Sequence, residues 1–315
     1  MARLTARCLA FFSSVALVTI SDIPATAATV AYWRFESTND TTDLSGFGNH
    51  ATQSAAGTSF TTDVFGTPVP RTGPANAGSI FFDNDETINN GADSADHFLT
   101  VNYHTSLDIA TGSFTIEAWV RLKRTGSNPL RQYIVQKKAA TSSDDDAAFV
   151  FMAKAGGLSD APNEYAMAFG LPDGTDGNMI YSSLGLSFPF DNDWHYMSVG
   201  IDRSNGDVRF VLDDQVDLQT GVLNHATIDY SGIDNDDPLY IGAHSTSARS
   251  SGANWGFAGD IDELRISNTF LPQSQLLAVP EPASVMMAAA GVLMLGLLYW
   301  LRASATRMTP DKDHD

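Results

Sequence analysis

At 315 residues, with 37 acidic against 18 basic side chains and a formal net charge of −19, the chain has length for one large domain or two ordinary ones. Its charge repels phosphate, which excludes nucleic acid and anionic lipid as ordinary partners. A single cysteine, Cys8, excludes a disulfide framework.

The chain opens with Arg3 and Arg7, an apolar run over residues 8–20, and the small residues Ala25, Ala27 and Ala28. That order predicts a secretory signal peptide over residues 1–28, because the apolar run is too short for a comfortable membrane span. Cys8 leaves with it, so the exported part must be held by its core, with a metal ion as the available supplement. The two ends carry five basic and four acidic residues, and without them 13 basic face 33 acidic residues between positions 29 and 284.

From residue 29 to 278 the pattern is strand after strand. "TVAYWRFE", "SIFFDN" and "HFLTVNY" come first. In "SFTIEAWVRL" Phe114, Ile116, Ala118 and Val120 alternate with Thr115, Glu117, Trp119 and Arg121, a period of two that places the first set on one face. "QYIVQKK", "AAFVFMAK", "EYAMAFG" and "MIYSSLGL" follow, then "HYMSVGIDRSNGDVRFVLDD", two alternating runs joined through Asn205-Gly206, residues that tolerate the positive φ of a tight hairpin. "PLYIGA" and "FAGDIDELRIS" close the series, and "LPQSQLLA" suits a single helical turn. Turn-forming Gly, Asn, Asp, Ser and Pro separate these runs. About a dozen strands without helical crossovers predict an all-β fold, an antiparallel two-sheet sandwich as one domain.

Residues 279–315 differ. "VPEPAS" precedes residues 285–301, which carry no charge and have the minimum length for a transmembrane helix, and Arg302 and Arg307 follow on the side expected in the cytoplasm.

Two family resemblances rest on these motifs. "VAYWRFESTNDTTDLSGFGNHAT", "SFTIEAWVRL", "DNDWHYMSVGIDRSNGDVRFVLDD" and "GFAGDIDELRISNTFLPQSQL", in that order, resemble the laminin-G-like domains of the concanavalin A-like lectin/glucanase superfamily. The resemblance implies a jelly-roll sandwich with its first and last strands side by side. The closing segment resembles the PEP-CTERM sorting domain, which implies transient tethering in the inner membrane and cutting near Pro280, Glu281 and Pro282 by an exosortase-type enzyme, with Arg302 completing the signal. The acidic tail "MTPDKDHD" departs from that pattern, and a permanent single-pass anchor is the alternative.

Glucanases of this superfamily imply a Glu-x-Asp-x-x-Glu strand, whose carboxylates share a face through alternation and whose retaining chemistry needs them about 5–5.5 Å apart. The nearest stretch is "DIDELR", which has Asp260 at the first acidic place and Arg265 at the third, so the pair is not met. Scattered Asp146, Glu164 and Asp193 leave a hydrolase or lyase open. His50, His104 and His195 lack metal-ligand spacing. The acidic turns lack the EF-hand order; the laminin-G-like resemblance implies a structural Ca²⁺ at Asp43 and Asn49 with Asp260 and Asp262, the alternative being that Asp43 and Asn49 cap a turn. Glycan binding needs exposed aromatic faces, for which Trp255, Tyr181 and Tyr230 stand near Gly-rich turns; core packing is their other use, and Trp33, Trp119 and Trp194 fall inside strand patterns. The sequence thus predicts an exported, non-enzymatic binding or adhesion module for extracellular polysaccharide or a surface protein.

Overall fold

A computed structural model describes residues 29–53, 58–66, 75–84, 97–109, 112–123, 131–137, 148–155, 165–171, 178–181, 186, 191–223, 236–243 and 256–278. The expected signal peptide, sorting signal (Pro280, Glu281, Pro282, Arg302) and helix 285–301 lie outside them; among the described residues no helix is long and apolar enough to cross a membrane.

Among the described residues fifteen strands form two antiparallel sheets. In the first sheet the order is β13 (Gln215–Gln219), β12 (Asp207–Leu212), β11 (His195–Asp202), β6 (Phe114–Leu122), β15 (Ala258–Ser267), β4 (Ser79–Asp83) and β3 (Thr58–Thr61), with β1 (Thr29–Trp33) also paired to β15. The second sheet runs β10 (Asn178–Tyr181), β9 (Tyr165–Leu171), β8 (Phe149–Ala155), β7 (Arg131–Lys137), β14 (Leu239–Ile241), β5 (Leu99–Val101) and β2 (Ala51–Gln53). All twelve expected runs contain a strand. Three short strands were not expected, β2, β3 and β13; β3 and β13 end the first sheet's order and β2 ends that of the second, and "ATQ", "TSFT" and "QVDLQ" are too polar or short to alternate visibly.

The core lies between the sheets. Phe114, Ile116, Ala118 and Val120 of β6 enter it with Phe149 and Phe151 of β8 and Leu239 and Ile241 of β14. Trp33 is wholly buried, and its indole N–H donates to the Asn49 carbonyl at 2.9 Å. The first and last strands do lie side by side, Trp33 opposite Leu264.

The other face of β6 is buried as well, which alternation alone does not predict. Thr115, Glu117, Trp119 and Arg121 are all buried, Trp119 within a second apolar cluster that includes Tyr196, Val211, Leu271, Leu276 and Leu277. The cover is residues 268–278, a strap laid across the sheet after β15. Thr115 Oγ1 donates to the Thr269 carbonyl at 2.8 Å and accepts from Leu271 N at 2.9 Å, and Arg209 Nη2 donates to the Leu271 carbonyl at 2.5 Å. Its helical content is one short turn, Gln273–Gln275, as "LPQSQLLA" suggested.

The Asn205-Gly206 hairpin differs from the expected tight turn. Asp202 faces Asp207, so four residues span the loop, and only Gly206 takes a positive φ, 73°. Asp202 organises it by accepting from Ser204 N and Oγ and from Asn205 Nδ2. The two-residue turn falls instead at Asp213-Asp214, where Leu212 pairs with Gln215 and Asp213 has φ 54°.

Candidate functional site

Strand β15 concentrates the carboxylates that the sequence singled out. It pairs with β6 along one edge, while its other edge is shared by β4 at Ala258–Ile261 and β1 at Leu264–Ser267. A β-bulge between Asp262 and Arg265 sits at that change of partner, with Glu263 at φ 51°. Gly259 precedes it at φ 146°, where a Cβ would lie 2.0 Å from the Arg121 carbonyl oxygen, so only glycine fits there. Alternation sends Ile261 and Leu264 to the core and Asp260 and Asp262 outward; the extra residue turns Glu263 outward too.

All three carboxylates are fully buried, and each is bound through at least one oxygen. Asp260 Oδ2 accepts from Arg121 Nη2 at 2.9 Å and lies 3.1 Å from Lys123 Nζ. Asp262 Oδ2 accepts from Asn76 Nδ2 at 2.7 Å. Glu263 accepts from Arg34 Nε at 2.8 Å and from the Tyr32 hydroxyl. Burial pushes the Asp262 carboxyl well above the usual range, reinforced by the charges of Glu263 and Glu36; burial raises Glu263 as well. On the neighbouring strand Glu117 accepts from Arg265 Nε at 2.6 Å, the Tyr196 hydroxyl at 2.5 Å and Leu277 N at 2.7 Å. These carboxylates are buried against protein partners, whereas attack on a glycosidic bond needs carboxylates that reach the sugar.

The four residues expected to hold Ca²⁺ divide into three settings. Asp43 caps the 43–49 turn: its Oδ1 accepts from Tyr32 N and Ser45 N, and its Oδ2 from Ser45 Oγ and Asn49 N, all within 2.9 Å. Asn49 donates to the Val30 carbonyl and Ser106 Oγ. Asp260 is neutralised by Arg121 and Lys123, and Asp262 pairs with Asn76. Among the described residues no three His, Cys, Asp or Glu side chains gather as metal ligands. The feature that suits a hard cation is different: Asn49 Oδ1, Asp260 Oδ1 and Asp262 Oδ1 are buried oxygens that accept from no donor among the described residues. Asp43 has no such oxygen to offer.

The other named residues are placed as follows. His50 Nδ1 accepts from Asp43 N at 3.0 Å. His104 accepts from Ser106 N at the start of the short turn Thr105–Leu107. His195 is held between Asp213, 2.7 Å from Nδ1, and Asp191, 3.0 Å from Nε2. Asp193 is exposed. Trp119 stacks on Phe65 with ring centroids 3.3 Å apart, and Trp194 lies 5.3 Å from the Arg121 guanidinium. Trp255, Tyr230, Asp146 and Glu164 lie outside the described residues; Tyr181 ends β10 opposite Ala168, with its side chain outside the description.

One polar cluster that sequence reading missed does face solvent. Val101 of β5 and Lys137 of β7 both pair with Leu239 of β14, so the end of β5, the end of β7 and the start of β14 meet at one end of the second sheet. There Tyr103 is 38% exposed and its hydroxyl donates to Asp108 Oδ2 at 3.0 Å. Lys137, wholly buried, places Nζ 2.6 Å from Asp108 Oδ1 and 5.5 Å from the Tyr103 ring centroid. The hydrogen bond to Asp108 leads in raising the Tyr103 phenol to about 12, with the Asp236 carboxylate contributing. No local motif signals this cluster, since Tyr103, Lys137 and Asp236 are remote in sequence.

Comparison with known proteins adds the lineage. The Laminin_G_3 family, described as Concanavalin A-like lectin/glucanases superfamily, matches residues 90–276, more than half of the chain. No curated protein sequence matches it. Among solved structures, the binding domain of botulinum neurotoxin serotype D/C is 12% identical with a TM-score of 0.47, over 78% of this chain and 50% of that one. The chain therefore spans half the length of that structure. The Ruminococcus gnavus IT-sialidase CBM40 bound to α2,3-sialyllactose is 14% identical with a TM-score of 0.40, over 53% and 81%. A leech intramolecular trans-sialidase is 16% identical with a TM-score of 0.40, over 55% and 24%.

Proposed function

Because the chain belongs to the Laminin_G_3 family of the Concanavalin A-like lectin/glucanases superfamily, we propose that it is an exported, non-catalytic module that binds carbohydrate at the cell surface or in an exopolysaccharide matrix. Membership alone licenses little, since one sandwich hosts many functions. The observation that carries the reading is the division of its polar groups. The acidic row of β15, the nearest approach to a Glu-x-Asp-x-x-Glu strand, is buried, each carboxylate bound through at least one oxygen to Arg34, Arg121, Lys123 or Asn76. An exposed aromatic ring with fixed polar neighbours stands instead at the end of the second sheet, the composition that sugar sites use.

Secretion by the signal peptide over residues 1–28, brief tethering in the inner membrane by residues 285–301, and exosortase cutting near Pro280 complete this reading. A structural Ca²⁺, expected at Asp43, Asn49, Asp260 and Asp262, belongs to it as well; the donorless oxygens of Asn49, Asp260 and Asp262, which lie in separate settings, are what support a cation there.

The test is affinity electrophoresis of the released protein through gels containing the producer's own exopolysaccharide, with its intact mass measured alongside. Retardation without new reducing or unsaturated ends supports a binding module. Released ends would establish the hydrolase or lyase alternative, and unchanged mobility would turn the search to protein partners. A mass retaining the apolar helix would overturn processing.

A further inference from the structure

Resting on the carbohydrate-binding reading, we infer that the rim formed by Tyr103, Asp108 and Asp236 is a subsite for one uncharged hexopyranose ring. Three observations converge on it. Tyr103 is one of few large apolar side chains left exposed among the described residues, and its orientation is fixed from both ends: the hydroxyl is bonded to Asp108, and the Lys137 ammonium lies over the ring. With Lys137 buried against it, the ring meets solvent on its outer side. A pyranose presents an apolar C–H face of that size, and stacking there costs no ordering of the protein.

The hydrogen-bonding partners are equally prearranged. Asp108 terminates the Thr105–Leu107 turn, where its backbone N–H is bonded to the Thr105 carbonyl, and its carboxylate is locked by Lys137 at 2.6 Å. Carboxylates accept from hydroxyl groups at the ring's edge, and charge assistance makes such bonds stronger than neutral ones. Asp236 brings a second carboxylate from the β14 side of the rim. This chemistry also sets the selectivity. Two carboxylates face the incoming ring, and among the described residues the nearby cation, Lys137, is buried and committed to Asp108, so uronates and sialic acids are repelled while neutral hexoses are accepted.

The wider surface agrees with an extended ligand. The neighbouring turn exposes Leu44 and Phe47 and is tied to the same short helical turn by the 2.8 Å bond from Asn49 Nδ2 to Ser106 Oγ.

The experiment is calorimetric titration of the full chain in mild detergent with neutral probes, the hexasaccharides of β-1,4-glucan, β-1,3-glucan and β-1,4-mannan, and with acidic probes, hexagalacturonate and sialyllactose. At least one neutral probe should bind and the acidic ones should not. Tyr103→Ala and Asp108→Asn should each weaken the neutral probe roughly tenfold or more. Tyr103→Phe keeps the ring and should retain most of the affinity. Because Lys137 loses its counter-charge in Asp108→Asn, Tm is measured for every variant, and Tyr103→Ala, at an exposed position, is the one expected to leave it unchanged. Neutral binding that survives Tyr103→Ala, or preference for the acidic probes, overturns the rim while leaving a glycan ligand in place. Failure of every probe and of the native exopolysaccharide overturns both.

Discussion

Replacing Glu117 by alanine should unfasten the strap over the first sheet. Glu117 is fully buried, and its two oxygens serve three donors on three elements: Arg265 of β15, the Tyr196 hydroxyl of β11 and Leu277 N of the strap. Removal leaves the Tyr196 hydroxyl, itself completely buried, and the Leu277 amide without their acceptor, at about 1–3 kcal/mol for each such group. Arg265 keeps its 2.9 Å bond to the Gln275 carbonyl and some solvent contact, so its charge is not wholly stranded. Breaking a buried pair in this way costs about 3–5 kcal/mol in total. For a domain of this size that lowers Tm by roughly 6–20 °C. Glu117→Gln keeps an oxygen and loses the charge, and should cost about 1.5–3 kcal/mol. Chemical denaturation measures the loss, and amide hydrogen exchange locates it: Leu276 and Leu277 should exchange at least tenfold faster, while β6 and β11 stay protected in Glu117→Gln. A loss below about 1 kcal/mol for Glu117→Ala, against the scale of a broken buried pair, would refute the assignment of Glu117 as the strap's anchor.

Two further outcomes follow from the same structure. Burial works to lower the His195 imidazole, but Asp213 and Asp191 outweigh it and hold it above its ordinary value. A raised folded value means that this contribution to stability is full below the unfolded value of about 6.5 and is lost as pH rises through the higher folded value. His195→Gln should therefore flatten the stability profile above about pH 6.5, measured by urea denaturation at successive pH values; an unchanged slope would count against the bidentate pairing. For calcium, millimolar Ca²⁺ should raise Tm in a thermal melt, and Asp262→Ala should abolish the rise, because ligand binding to the folded state alone stabilises it. No rise in the wild-type chain would refute the bound Ca²⁺.

The legibility of this chain in its sequence follows the range of the interactions involved. Alternation in residues 113–122 identified the core face of β6 because pleating is local. It said nothing of Glu117 and Trp119, whose burial depends on a strap about 150 residues later in the chain. The bulge at Asp262–Arg265 was hidden for the same reason: "IDELRI" gives no sign that β15 changes partner from β4 to β1 at that point, and so none that Glu263 joins Asp260 and Asp262 on the outer face. The edge strands β2, β3 and β13 carried too little apolar pattern to stand out from turns. Aromatic residues beside glycine were the visible signal for a sugar site and led to Trp255, Tyr181 and Tyr230. Tyr103 has no such neighbourhood; Lys137 and Asp236 reach it through the pairing of β5 and β7 with β14.

The strap has a mechanical consequence. Tension arriving from the C-terminal side meets the bonds of residues 268–278 before it meets the ladder of β15. The Glu117–Leu277 contact carries the load first, then Arg265 at Gln275, then Thr115 and Arg209 at Leu271, and last Thr115 at Thr269. These side-chain bonds and the packing of Leu271, Leu276 and Leu277 are loaded residue by residue, so the strap would yield stepwise before the ladder of β15 is pulled. If the chain is tethered from its C-terminal side, as proposed for the uncut form, the strap would be a shock absorber between that tether and the fold.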